Sequence, residues 1–297
     1  MQIIYKIDLI FISIYSLIIL LTGISLTVTA GKPIIMALAG VGEIIYLYFA
    51  LKRPYTRYKS LKKPFPEEWQ RILKKNSPFY GSIDAAGKKR FEQDVRIFLT
   101  DYPVEGIKRQ ELDTRTKLLV ASGFATMLHG RPYWEPPIKD GVLVYPGRVF
   151  NKDYKIGRGN FSGMARANSP LIISSDSLEE SFKNPGDGNN VIFHEVAHYF
   201  DMEDGRAEGI PSYRMLSGTL NPWKRAISKE WKKALQGRSF LRPYAGTNEA
   251  ELFAVATEFF FENPGVMKRK NPELYNLLKE FFNIDTAEII AGKGNEF

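Results

Sequence analysis

The sequence predicts an α+β chain: a mostly helical domain with a small sheet, preceded by two transmembrane helices. Three observations predict it. Residues 9–30 and 34–51 are two apolar runs separated by a turn of three residues. Beyond residue 64 the apolar residues repeat at helical spacing, and short turn-bounded stretches at 142–145 and 170–174 have the character of strands.

The first span, Leu9 to Ala30, carries no charge. At 1.5 Å per residue it is long enough to cross a hydrocarbon core about 30 Å thick. After Gly31-Lys32-Pro33 the second span runs from Ile34 to Leu51, broken only by Glu43. Glu43 reads as a carboxyl near the interface or protonated, since a single acid without a partner does not make a transport path. Lys52, Arg53, Arg57, Lys59, Lys62 and Lys63 follow the second span, whereas the turn offers only Lys32. The positive-inside rule therefore places the large C-terminal part in the cytoplasm. A cleaved signal peptide ending at Val28-Thr29-Ala30 is the competing reading of the first span, and it leaves that orientation unchanged. Residues 1–63 are thus expected to form a membrane hairpin with a basic collar, and 64–297 the second domain.

The 297 residues, 44% of them hydrophobic, provide for one sizeable core besides the hairpin. With no cysteine, disulfides and zinc–thiolate sites are excluded, so any metal must use nitrogen and oxygen ligands. The absence of cysteine also fits a reducing compartment. The formal charge of +8 is accounted for largely by the collar, and no nucleic-acid partner is expected.

Pro64-Phe65-Pro66 reads as a linker, and Pro66-Glu67-Glu68-Trp69 as a first helical turn with acids at its N-terminal end. A helix following Ser82 is expected from Phe91, Val95 and Phe98 at i, i+4 and i+7. Another, from Asp113 to Leu128, places Leu118, Ala121, Phe124, Ala125 and Leu128 on one face. His129 closes that helix before Gly130 and reads as a C-terminal cap rather than a metal ligand. Gly157 to Gly163 lacks the spacing and lysine of a phosphate loop and reads as a plain loop. Asp176 or Ser177 is expected to cap a short helix, and the turn cluster Asn184 to Asn190 delivers Asn189 or Asn190 as N-cap of the next one. The strand at 170–174 is a candidate for pairing with an extended peptide by edge addition.

That next helix, Val191 to Met202, carries two of the chain's three histidines. His194 and His198 are four residues apart and so share a helical face. Both imidazoles can reach one metal, with Glu195 beside them to hold an attacking water. A catalytic site of this kind needs three protein ligands and an open position. Asp201, three residues on, lies near the same face and suits orienting a histidine better than ligating, since a short Asp reaches the metal poorly. Further along, Glu251 can project inward from a helix that continues through Phe253, Ala256 and Phe260, whereas Glu249 points to solvent. Glu251 is equally placed to complete a capping box with Asn248, and spacing leaves the two readings open.

The segments His194-Glu-Val-Ala-His-Tyr-Phe-Asp-Met-Glu-Asp-Gly205, Gly209-Ile-Pro211 and Tyr244-Ala-Gly-Thr-Asn-Glu-Ala-Glu-Leu-Phe-Ala254 resemble the zinc peptidase family of Mlc titration factor A. The last segment also resembles the protease domain of anthrax lethal factor. Further likeness lies at Phe65-Pro-Glu-Glu-Trp69, Val144-Tyr-Pro-Gly147, Asp187-Gly-Asn-Asn190 and Asn271-Pro-Glu-Leu-Tyr275, so it extends over most of 65–285. The resemblance implies a zincin-like fold of the gluzincin type with one Zn²⁺ per chain. It implies His194, His198 and Glu251 as zinc ligands, Glu195 as the catalytic glutamate and Tyr244 as the tyrosine assisting the reaction. Val196 and Tyr199-Phe200 depart from the commoner neighbours without removing a catalytic group. The soluble members lack the hairpin, so their partners carry over less safely than their chemistry.

The expectation is a membrane-anchored zinc peptidase acting on a peptide or protein substrate, as aminopeptidase or endopeptidase. The alternative is a membrane-tethered regulatory module that binds a protein partner and whose peptidase activity is vestigial. An intramembrane protease is disfavoured because polar Asn189-Asn190 and Glu203-Asp204-Gly205 flank the motif.

Overall fold

The computed structural model describes residues 1–107, 110–147, 163–164 and 169–292. It divides into two compact units, Met1–Pro64 and Phe65–Phe297. In the first, α1 (Lys6–Ala30) and α2 (Ile34–Leu61) pack together as a hairpin. Both helices are long and apolar enough to cross a membrane. Their outward side chains include Leu17, Leu21, Ile45 and Phe49, all exposed, which in water would be an unpaid hydrophobic cost. The helix of the second span runs ten residues past Leu51, so the collar is helical rather than a separate segment. There Arg57 is buried, its Nη1 donating to the Gln2 carbonyl at 2.6 Å and its guanidinium 5.6 Å from the Tyr5 ring.

The second unit is mostly helical with one small sheet. Its elements are α3 (Glu67–Asn76), α4 (Pro78–Ser82), α5 (Ala85–Asp101), β1 (Val104–Gly106), α6 (Thr114–Leu128), β2 (Val142–Tyr145), β3 (Gly163–Met164), β4 (Leu171–Ser174), α7 (Ser175–Lys183), α8 (Val191–Asp201), α9 (Leu220–Leu235), α10 (Glu249–Glu262), α11 (Pro264–Lys270), α12 (Pro272–Phe282) and α13 (Thr286–Ala291). The sheet order is β1-β2-β4-β3, with β1, β2 and β4 parallel and β3 antiparallel.

The sheet corrects one expectation. Gly163 and Met164 pair with Ile173 and Ile172, so β4 lies inside the sheet and its flank is not free for an added peptide. Caps follow side-chain chemistry: Asp84, Asp113, Asn190, Asn248 and Asn271 each accept backbone N–H bonds at a helix start. For α7 the cap is Ser174, not Asp176 or Ser177, because the strand runs directly into the helix. The expected glycine-rich loop at 157–162 lies outside the described residues.

The core is built on α6, buried from Leu118 to Leu128. Gly123 sets how closely α8 approaches: a Cβ there would lie 2.4 Å from Ile192 Cγ2. Helix α8 in turn packs against α10, and Phe200, Phe253, Phe260 and Phe282 fill the space behind with no exposure. Thus the motif helix is anchored on both sides before any site chemistry enters.

His129 is the C-cap residue of α6, buried edge-on against Phe79 at 5.2 Å. Burial, reinforced by Arg90, lowers its pKa to about 4. It packs as a neutral ring, and the dipole-compensating charge expected of a C-terminal histidine is absent. The unfolded chain binds a proton near pH 6.5 that the folded chain refuses until about pH 4. Stability from this residue is therefore present above about pH 6.5 and lost as pH falls through that window. His129→Phe keeps the packing and removes the proton site. Its stability loss between pH 7 and pH 4 should be smaller than that of the parent by about 3 kcal/mol, read from urea unfolding at the two pH values.

Candidate metal centre

Asn190 caps α8 by accepting from the N–H groups of Ile192 and Phe193. One turn later His194 and His198 point the same way, their Nε2 atoms 3.2 Å apart. From α10, Glu251 Oε2 comes within 3.1 Å of His194 Nε2 and 3.4 Å of His198 Nε2. Among the described residues these three form the one cluster able to hold a metal ion. Asn248 caps α10 by accepting from the Glu251 N–H, which leaves the Glu251 carboxylate free to turn toward the histidines. Only the Asn248 half of the capping box forms.

The donor set fits a metal. A tetrahedral ion with bonds of about 2.0–2.1 Å places its ligand atoms about 3.3 Å apart. The three separations here are 3.1, 3.2 and 3.4 Å. Glu251 Oε2 is buried, yet it accepts no hydrogen bond of acceptable geometry. A buried carboxylate oxygen that faces two imidazole nitrogens without a hydrogen bond to either is placed to share a cation with them. Burial tends to raise the Glu251 pKa, but His194 and His198 outweigh it and hold the carboxyl well below the usual range.

Behind the cluster stands Glu258, fully buried on α10. Its Oε1 lies 2.7 Å from His194 Nδ1 and its Oε2 accepts the Asn190 N–H at 2.6 Å. Arg242 grips both oxygens, with Nη1 2.9 Å from Oε2, and also donates to Asn189 Oδ1. A proton on His194 Nδ1 directed at Glu258 turns the Nε2 lone pair toward Glu251 and His198, the tautomer a metal requires. Burial depresses His194, yet Glu258 and then Glu251 reverse this and lift its pKa to about 10. Metal binding must therefore release a proton here.

Glu195 is buried on α8; burial raises its pKa, His194 and His198 pull it down, and Glu251 and Glu258 push it back up. Tyr244 lies on a 3₁₀ turn, Pro243–Gly246, with its ring 5.8 Å from that of His194. It is 38% exposed, so solvent reaches its ring. Burial, Glu251 and Glu195 all raise its hydroxyl pKa, so it stays protonated and able to donate.

Asp201 is a correction. It was expected to orient a ligand histidine, but its two oxygens accept the N–H groups of Gly209 and Ile210 at 2.8 and 2.6 Å. The carboxylate that meets the far nitrogen of an imidazole, Nδ1 of His194, is Glu258, 64 residues away in sequence. The helix ends at Asp201, so its side chain falls to the loop that follows. That loop is wedged in place: Gly209 has φ +71°, and a Cβ on it would lie 2.3 Å from the Glu249 carbonyl. The Gly209 carbonyl accepts Trp223 Nε1–H at 2.8 Å. Asp201 thus anchors a strap against the start of α10, the helix that carries Glu251. Asp201→Ala strands two N–H groups and should cost about 3 kcal/mol in chemical denaturation, as loss of charge-assisted bonds does.

Glu258, Arg242 and Glu262 were not singled out from sequence. A signal was present: Glu251, Glu258 and Glu262 recur at i, i+7 and i+11 in a helix whose other residues are apolar save Glu249 and Thr257, so all three share the face toward the motif helix.

The family model described as glucose-regulated metallo-peptidase M90 matches residues 51–283. An uncharacterized protein of Synechocystis sp. is 28% identical over 244 residues, covering 75% of this chain and 86% of its own length. Mlc titration factor A of Escherichia fergusonii is 33% identical over 213 residues, 65% of this chain and 75% of that protein. Mlc titration factor A of Pectobacterium atrosepticum is 28% identical over 160 residues, 48% of this chain and 59% of its own.

Proposed function

This chain belongs to the glucose-regulated metallo-peptidase M90 family, and from that premise we propose that it is a zinc-dependent peptidase anchored in the membrane by its N-terminal hairpin. In this reading residues 1–63 are the anchor and 64–297 a catalytic domain of zincin-like, gluzincin-type layout facing the cytoplasm, the side on which six basic residues follow the second span. The observation that carries the chemistry is the spacing of His194 Nε2, His198 Nε2 and Glu251 Oε2, 3.1–3.4 Å apart with one buried oxygen unsatisfied.

Zinc held by these three would polarise a scissile carbonyl and lower the pKa of a bound water from 15.7 to about 7. The remaining steps belong to side chains. Glu195 takes the proton of the attacking water and passes it to the leaving amine, and its burial makes it the stronger base. Tyr244, still protonated, donates to the oxyanion of the tetrahedral intermediate, a role worth about 10²–10³ in rate. Glu258 holds the His194 tautomer, and Arg242 holds Glu258.

The test uses the full chain in lipid nanodiscs against a peptide library, with products identified by mass spectrometry. Cleavage should stop on chelation and return with zinc. No cleavage by the zinc-loaded chain would remove the peptidase reading. It would leave the second, a regulatory protein-binding module, which the titration-factor name of the relatives favours. Against that second reading, a purely structural metal site has no use for Glu195 or Tyr244.

A further inference from the structure

On the N-cap side of α8 lies a cavity of about 180 Å³. Phe79, Phe182, Phe193 and Phe261 wall it; Asn76, Ser77, Thr126, Ser181 and Asn190 supply neutral polar groups, and among the described residues of the lining Glu262 is the one that can carry charge. The volume is below the roughly 300–1,000 Å³ of sites for drug-sized ligands, so an occupant is about the size of one aromatic side chain.

The electrostatics select its charge. Glu262 is the last residue of α10, where the helix carbonyls already concentrate negative charge, and no basic residue lies in that last turn. Oε1 of Glu262 accepts Asn190 Nδ2 at 3.0 Å, and Oε2 accepts the N–H groups of Gly188 and Asn189. Those donors are neutral. Burial, then Asp187 and Glu258, raise the Glu262 pKa to about 7, and the nearby cation Arg242 is committed to Glu258. A carboxylate at a helix C-terminus among aromatic rings is a setting in which an ammonium gains from ion pairing and, over a ring face, from cation–π attraction.

We propose that this cavity is a binding site for a small primary amine with an apolar, aromatic-sized body, its ammonium on Glu262 and its body among the four phenylalanines. Because the same carboxylate holds Asn190, the residue that caps α8, occupancy bears on the start of the motif helix. The site uses neither the three metal-facing side chains nor Glu195, so it stands whether or not the peptidase reading does.

The test is ligand-observed NMR on the metal-free full chain with three probes of one shape: phenethylamine, 2-phenylethanol and phenylacetate. Phenethylamine should bind about tenfold more tightly than the alcohol, the factor one charge-assisted contact supplies, and phenylacetate should not bind. Glu262→Gln should erase the advantage of the amine. Ile290→Trp, at a half-buried residue of the cavity lining, should abolish binding of the amine and the alcohol alike. The proposal is overturned by equal binding of phenylacetate, by no binding of phenethylamine, or by amine binding that survives both substitutions.

Discussion

Glu195→Gln should keep its metal and lose peptide hydrolysis by about 10²–10⁴ in kcat/KM, the usual worth of a positioned general base. The reasons are local. Three other side chains supply the metal-facing atoms, so the substitution leaves the ligand set intact. Glutamine has the volume and hydrogen-bonding capacity of glutamate, and at a residue only 3% exposed this avoids a cavity or a stranded charge. What it lacks is the carboxylate lone pair that accepts a proton. Since Glu195 is pushed up by burial, it is a better base than an exposed glutamate, and the amide is no base at all. Metal content by elemental analysis and kcat/KM on a cleaved peptide check both halves. Undiminished hydrolysis by pure variant protein would rule the mechanism out, and loss of metal would mean that Glu195 supports the site rather than the reaction.

The parts of this fold legible in sequence are those governed by local rules. The apolar runs of the hairpin, the strand at 142–145, the helix ending at Leu128 and an asparagine cap at 189 or 190 follow from hydropathy, periodicity and side-chain capping, each decided within a few residues. Strand β1 was not legible, because Val104-Glu105-Gly106 is too short to carry a pattern and exists through its pairing with 142–144. The His194, Glu195 and His198 placement was legible for the same local reason: one helical turn fixes it. The role of Asp201 was not. Helical spacing allowed it to face the histidines, but the helix stops there and the loop that follows supplies two N–H groups to the carboxylate. Glu258 shows the converse, since its partners Asn190 and His194 belong to α8 and Arg242 to the start of the 3₁₀ turn Pro243–Gly246, and only tertiary packing brings them to α10. Sequence could nevertheless flag it, since an acid inside Phe253-Ala-Val-Ala-Thr-Glu-Phe-Phe-Phe261 must be buried and therefore partnered.

That partnership makes Glu258→Ala the most damaging single change expected outside the three side chains that could hold a metal. The carboxylate neutralises Arg242, satisfies the buried Asn190 N–H and orients His194. Removing it leaves all three uncompensated at once. Breaking a buried ion pair by deleting one partner costs about 3–5 kcal/mol. The Arg242 side chain is 26% exposed and can recover some hydration, which places the cost near the lower figure. Metal affinity should fall by about 10–100-fold, the range for loss of a carboxylate behind a liganding histidine. Glu258→Gln separates the two effects. The amide still fills the space and its oxygen can accept one N–H, so stability should fall by less than in the alanine variant. It no longer carries the charge that holds the His194 proton and Arg242 together, so metal affinity should still drop by about tenfold. Chelator competition and urea unfolding on the two variants give the four numbers needed. If both bind metal within twofold of the parent, Glu258 is a purely structural partner of Arg242, and the orientation of His194 rests on Arg242 and the helix alone.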